Sequence, residues 1–332
     1  MMALGRTFAR WEVFLFAVLV AIFLIGGQAS RYFLTTSNIT VALEGVAPMA
    51  LLALTMTLIV ITGEIDISVG SMVGLCASAM AVALEAKVPL GFAMLIGVAV
   101  GCAAGAFNGL MVSYAMLPSL VVTIGTLALY RGLAQVILEE RGISTFAEWY
   151  QEIGFGTVPG TPLPWSSLIF LILFAVFAVY LHRTHWGRAL YAIGNNREAA
   201  RFSGIDVKRT VFWLFVASGA MSALAAIVLT AYLASARSDT ATGLELPVIT
   251  AVVLGGVNIF GGSGTMVGVF IAVLVLAFVQ NSLGLAGVTP EEQQIATGAV
   301  LVATLIVFSS SGFIMRIRET FLRSHTGASA NS

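Results

Sequence analysis

The sequence predicts an all-α polytopic membrane protein with about ten transmembrane helices, and three observations carry that reading. First, of the 332 residues 59% are hydrophobic and only 10% charged, whereas a soluble domain carries about 25% charged residues. Second, the apolar residues fall in runs of the length a bilayer requires, about 20 residues of helix. Third, the basic residues are segregated into loops. Arg183, Arg188, Arg197, Arg201, Lys208 and Arg209 lie in the stretch 183–209, opposed only by Glu198 and Asp206. Lys and Arg resist translocation, so this loop is expected on the cytoplasmic side, as are the N-terminus with Arg6 and Arg10 and the tail 313–332 with Arg316, Arg318 and Arg323.

The elements then follow in order. The first span is expected over 11–29, with no cleavable signal peptide, and the second over 46–62. A break, Gly63-Glu64-Ile65-Asp66-Ile67-Ser68-Val69-Gly70, precedes a third apolar segment ending near Leu84. Further spans cover 90–112, 119–138 and 165–181. Residues 139–164 carry Glu139, Glu140, Glu148 and Glu152 against Arg141, with Pro159, Pro162 and Pro164, and are expected to be a periplasmic loop. The next span is 210–233, followed by a periplasmic loop at 235–245. Segments 247–259, 266–283 and 295–308 complete the count, the first interrupted by Gly261-Gly262-Ser263-Gly264. Trp11, Trp165, Trp186 and Trp213 fall near span ends, where interfacial aromatics belong. All 332 residues read as one transmembrane domain.

Glycine placement adds detail. Gly97, Gly101, Gly105 and Gly109 recur every fourth residue on one face of a span, a spacing that lets helix backbones approach closely, within the protomer or with a partner. Gly70-Ser71-Met72-Val73-Gly74 echoes Gly264-Thr265-Met266-Val267-Gly268, each after a Gly-rich break. Paired, Gly-interrupted segments point to a transporter's central site, although here both breaks fall on the cytoplasmic half.

Enzymatic chemistry has no foothold. The only lysines, Lys87 and Lys208, lie in no phosphate-cradling loop. His182, His185 and His325 form no metal-ligand pattern. Cys76 and Cys102 sit in apolar runs and read as small buried residues. A net charge of zero gives no footprint for nucleic acid. The unusual residues are the carboxylates Glu64 and Asp66 within a long apolar stretch. At membrane depth such groups face a polar cavity or a partner; at the boundary they are hydrated or paired with arginine. Asn108, on the glycine stripe, suits an interhelical hydrogen bond.

The basic loop has its own design. Asn195 is placed to cap a short helix over 196–203, Glu198 to reach back to the cap, and Gly204 to supply the left-handed residue that ends it. Such a helix serves as a topological anchor or docks on a partner.

Glu198-Ala199-Ala200, three residues and then Gly204 resemble the EAA loop of bacterial ABC-importer permeases. The surrounding YAIGNNREAARFSGI, with GEIDISVGS and VVLGGVNIFGGSG, resembles the ribose-type carbohydrate permeases over nearly the whole chain; Glu64 stands where that family often has glycine. The segment SARSD, 235–239, is similar to that of autoinducer-2 permeases. The resemblance implies a non-catalytic permease subunit in the bacterial inner membrane. It would import a small neutral polar solute, above all a monosaccharide such as ribose or rhamnose, or autoinducer-2. It implies a second permease protomer, identical or not, and two ATPase subunits or one fused double ATPase holding ATP and Mg. A periplasmic solute-binding protein would supply the solute. Asn195, Arg197, Glu198, Ala199, Ala200 and Gly204 would then couple to the ATPase, and Glu64, Asp66, Ser68 and Asn258 would line the translocation path. The alternative is an ion-coupled secondary transporter or channel using Glu64 and Asp66, against which stand the EAA pattern and the expectation of no further intramembrane ionisable residue for a relay.

Overall fold

The computed structural model describes residues 2–139, 141–304 and 306, and thirteen helices order these described residues. They are α1 (Met2–Ala29), α2 (Thr36–Ile61), α3 (Val69–Glu85), α4 (Leu90–Ser113), α5 (Ser119–Leu138), α6 (Glu148–Phe155) and α7 (Trp165–Arg183). Then come α8 (His185–Asn195), α9 (Arg197–Phe202), α10 (Val207–Leu233), α11 (Glu245–Leu254), α12 (Met266–Leu285) and α13 over 290–304. Among the described residues the β pairing consists of two isolated bridges, Ile143 with Ala236 and Thr157 with Pro164. The expected tail 313–332 with its arginines, and Glu140, lie outside the described residues, as do the side chains of Arg6 and Arg10.

Seven of the described helices are long and apolar enough to cross a membrane: α1 from Trp11 onward, α2, α4, α5, α7, α10 and α12. The apolar helices α3 and α11 are shorter, at 17 and 10 residues. Most expected spans match these helices within a few residues. The exceptions are α11, which ends at Leu254 rather than near 259, and α2, which starts at Thr36 rather than near 46. At α2, Thr35 Oγ1 accepts from the Asn38 N–H and caps the helix. The polar residues of its first turns find partners, Asn38 and Asn281 exchanging amide hydrogen bonds of 2.9 and 3.0 Å across to α12.

Helix α2 is the hub, with every residue from Val46 to Ile61 buried. Helices α7, α10, α11 and α12 pack around it; α3 lies among α4, α5 and α10, and α1 lies against α12. Helix α10 crosses α4 at glycine. A Cβ on Gly219 would fall on the Gly101 carbonyl, and one on Gly105 would fall on the Phe215 carbonyl. Of the rest of the stripe, Gly97 faces Cys76 and Met80 of α3, and Gly109 faces Phe212 of α10. All four stripe glycines are buried inside the protomer.

The two acidic-side segments meet at the end of the bundle opposite the basic loop. Ile143 and Ala236 exchange backbone hydrogen bonds of 3.0 and 2.9 Å, and Ser238 Oγ donates to the Glu139 carbonyl at 2.8 Å. Tyr150 of α6 is fully buried and donates to the Ile227 carbonyl of α10 at 2.8 Å, pinning the 139–164 segment to the bundle.

Candidate functional site

At the other end, the basic loop folds as two capped helices. Thr184 Oγ1 accepts from the Gly187 N–H to cap α8. Helix α9 is capped by Asn196, whose Oδ1 accepts from the Ala199 N–H at 2.9 Å. This corrects the expectation for Asn195: Asn195 is the last residue of α8, and its Nδ2 donates to the Tyr191 and Gly262 carbonyls. The one-residue shift has a physical basis. Asn196 takes the extended φ of −163° that turns the chain between the helices, and only a residue so placed can aim its side chain at the new first turn. Glu198 lies in that first turn, where its charge suits the helix dipole. The far end closes as a Schellman motif: Gly204, at φ +84°, donates to the Arg201 carbonyl and Ile205 donates to the Ala200 carbonyl. Only Ala200 of this helix is buried; Phe202 is 87% exposed.

The three distinctive segments of the sequence converge at α8 and the start of α9. The Gly262 N–H donates to the Ile61 carbonyl at 2.9 Å, joining the Gly-rich break after α11 to the end of α2. Tyr191 of α8 donates to the Gly264 carbonyl at 2.8 Å. The contact is glycine-dependent, because a Cβ on Gly194 would fall on the Ile61 carbonyl and the Gly262 backbone. Arg197 forms an ion pair with Glu64, whose side chain is only 8% exposed. Thus Glu64 stands at this end of the bundle, paired with arginine. Asn258 is exposed and closes its own loop, donating to the Gly261 carbonyl and accepting from the Phe260 N–H. Helix α1 ties in through Trp11 Nε1, which donates to the Leu254 carbonyl at 2.9 Å.

Asp66 and Ser68 lie elsewhere, wholly buried at the start of α3. Asp66 Oδ1 accepts from the Ser68 N–H and Oγ, and Oδ2 accepts from Ser218 Oγ of α10 at 2.8 Å. Asn108 of α4 donates to Ser68 Oγ at 2.8 Å and accepts from Tyr130 of α5 at 3.0 Å. One polar chain therefore joins α3, α4, α5 and α10 inside the bundle.

Two ionisable groups inside the bundle correct the expectation that Glu64 and Asp66 are alone. Glu44 of α2 is buried. Arg131 sits within α5 and donates to the Ser238 and Thr240 carbonyls at 3.1 and 3.0 Å. The segment 238–243 thereby lies along the first turns of α3, where Gly70 faces the Glu245 carboxylate and Gly74 faces Arg131. The isolated Arg in an apolar run was the available signal; that its partners are carbonyls more than a hundred positions away was not readable from the chain.

These features define a polytopic helical bundle with seven described helices able to cross a membrane, and comparison with known proteins gives its class. Residues 38–305 match the family described as "Branched-chain amino acid transport system / permease component", and the chain belongs to that family of ABC-transporter permeases. It is 34% identical over 328 residues to the Autoinducer 2 import system permease protein LsrD of Photorhabdus luminescens, covering 97% of this chain and 98% of that one. It is 36% identical over 319 residues to the LsrD protein of Escherichia coli strain K12, covering 94% and 96%. Its fold resembles that of a metal-chelate-type ABC transporter in an inward-facing conformation, with a TM-score of 0.50 and 16% identity over 90% of this chain and 99% of that one. The chain is a multi-pass membrane protein and a transport component.

Proposed function

We propose that this chain is the translocating subunit of an inner-membrane ABC importer for a small neutral polar solute of the monosaccharide or autoinducer-2 class. The observation that carries the reading is the convergence of the three signature segments at the α8–α9 corner, where the Asn195–Gly262 hydrogen bond holds the end of α8 and the Arg197–Glu64 pair holds the start of the exposed, capped α9. A rigid platform under an exposed helix is what a mechanical link to a partner ATPase requires. In this reading α9, with Phe202 outermost, is pressed by two ATPase subunits or a fused pair, and a second permease protomer completes the path. ATP and Mg belong to the partner, and rocking of the two protomers gives alternating access. The similarity to autoinducer-2 permeases favours that solute over ribose or rhamnose.

The topology we infer has ten crossings with both termini and the 183–209 loop cytoplasmic. The seven long spans, α3, α13, and α11 joined to its preceding loop make up the count. The single transmembrane domain carries periplasmic segments 139–164 and 235–245, and their meeting through Ile143 and Ala236 supports one shared surface for a solute-binding protein. With Cys76 and Cys102 replaced by alanine, cysteines at the exposed positions Glu148 and Asp239 are expected to react with a membrane-impermeant thiol reagent in intact cells. A cysteine at Arg201 is expected to react only after lysis. Labelling of position 201 from outside would reverse the orientation.

The functional test is ATP-dependent uptake by the chain reconstituted with its ATPase and binding protein. Gly204→Val places a β-branched residue at φ +84°, a backbone region that costs an L-residue about 1–2 kcal/mol. A Cβ there meets no neighbouring atom, so the bundle itself is not strained. The expected result is normal membrane abundance, weakened ATPase association and uptake reduced at least about tenfold, the ratio that 1.4 kcal/mol sets. Normal uptake by this variant would remove the coupling role from α9.

A further inference from the structure

A cleft of about 1240 Å³ opens between α7, α8 and α10 beside the basic loop, larger than the roughly 300–1,000 Å³ a drug-sized ligand fills. Its lining changes character along its length. The inner wall is apolar, made by Leu58, Phe177, Leu214 and Ala217. Trp186 and Trp213 flank it, 53% and 56% exposed. The mouth carries Arg188, Arg209, His185 and Asp206. Asp206 is committed to capping α10, its Oδ1 accepting from the Arg209 N–H at 3.0 Å. Neither Arg188 nor Arg209 forms an ion pair among the described residues.

We propose that this cleft binds an anionic phospholipid, its acyl chains along the apolar wall and its phosphate between Arg188 and Arg209. Three arguments select that occupant. Val176 lies about two turns inside α7 and Ala217 nearly three turns inside α10, so the cleft reaches about 10–15 Å into the spans. A soluble partner cannot enter that depth, whereas a lipid chain already occupies it. The order of apolar wall, tryptophan flank and arginine mouth follows the order of acyl chain, interface and headgroup across a leaflet. Basic pockets between transmembrane helices on the cytoplasmic side suit anionic headgroups. A second copy seated here by a two-fold axis would set Arg188 and Arg209 against their own equivalents, a like-charge contact. The placement of this end in the cytoplasmic leaflet rests on the topology inferred above. Lipid binding itself is read independently of transport, so the two readings fail separately.

The test uses the full transporter complex, purified with its ATPase subunits from membranes containing phosphatidylglycerol, cardiolipin and phosphatidylethanolamine. Native mass spectrometry and headgroup analysis then measure what survives delipidation. Wild type is expected to retain phosphatidylglycerol or cardiolipin. Arg188→Gln with Arg209→Gln is expected to lower that retention at least about fivefold relative to phosphatidylethanolamine. Arg188→Lys with Arg209→Lys restores it, which excludes misfolding as the cause. Ala217→Trp, filling the apolar wall, lowers retention of all lipids while both arginines remain. Three outcomes would each overturn the proposal: wild-type retention in the Gln and Trp variants, displacement of the lipid by inorganic phosphate alone, or retention only in complexes stripped of the ATPase.

Discussion

Gly219→Leu is expected to abolish the folded protein. Where α10 crosses α4, a Cβ at position 219 would fall on the Gly101 carbonyl, with the Gly105 backbone nitrogen one turn along the same helix at 3.0 Å. The obstacles are backbone atoms, so no rotamer relieves them. The two helices would have to separate by the thickness of a side chain, and overpacking of this kind costs about 1–3 kcal/mol even where neighbouring side chains can shift. Separation would also pull Asn108, at the same crossing, away from Ser68 and Tyr130. Without an apolar drive between helices in lipid, close backbone packing is a main source of association, so its loss is not offset elsewhere. The measurement is the fraction of monodisperse protein after detergent extraction, with Gly132→Ala as control. A Cβ at Gly132 meets open space on α5, and alanine is a better helix former by about 1 kcal/mol. The control is expected to match or exceed wild type. A monodisperse Gly219→Leu protein at wild-type yield would show that α4 and α10 do not cross at this glycine.

Asp66→Ala is expected to have the second largest effect, and Asp66→Asn a small one. Alanine leaves the Ser68 N–H and the Ser218 hydroxyl without acceptors at a site with no exposure. Each unsatisfied buried group costs about 1–3 kcal/mol, so the pair is worth roughly 2–6 kcal/mol. Asparagine keeps one oxygen for Ser68 and turns an amide N–H toward Ser218, whose hydroxyl can accept in place of donating. Thermal unfolding in detergent, read together with uptake, separates two roles. If hydrogen bonding is what Asp66 supplies, Asn is stable and active while Ala is neither. A stable, inactive Asn variant would assign the charge itself to the transport cycle. Full stability of both variants would dissolve the network as a structural element.

The spans were legible because each one is an autonomous statement. An apolar run closed by a Trp, a Pro or a break must lie in the bilayer wherever its neighbours are, which is why α5 runs from Ser119 to Leu138 as its sequence indicates. The left-handed Gly204 was legible for the same reason, since a helix end is written within five residues. The cap was not, because two adjacent asparagines are equivalent until the direction of α8 decides which one faces the new turn. The early start of α2 was hidden by polar residues whose partners are contributed by α12.

By itself the sequence determined that the chain is helical, lies in a membrane and carries three segments shared with a permease family. Those properties depend on composition and on contacts within a few residues. Only the tertiary structure decided what the segments do to one another. It brought Ile61, Gly194 and Gly262 together, paired Glu64 with Arg197, and sent Asp66, two positions from Glu64, into a separate buried network with Ser218. It also supplied the carbonyls of Ser238 and Thr240 that hold Arg131 inside α5. In an apolar bundle each buried polar group must find a partner, and which partner is within reach is set by how the helices cross, a long-range property that no local pattern encodes.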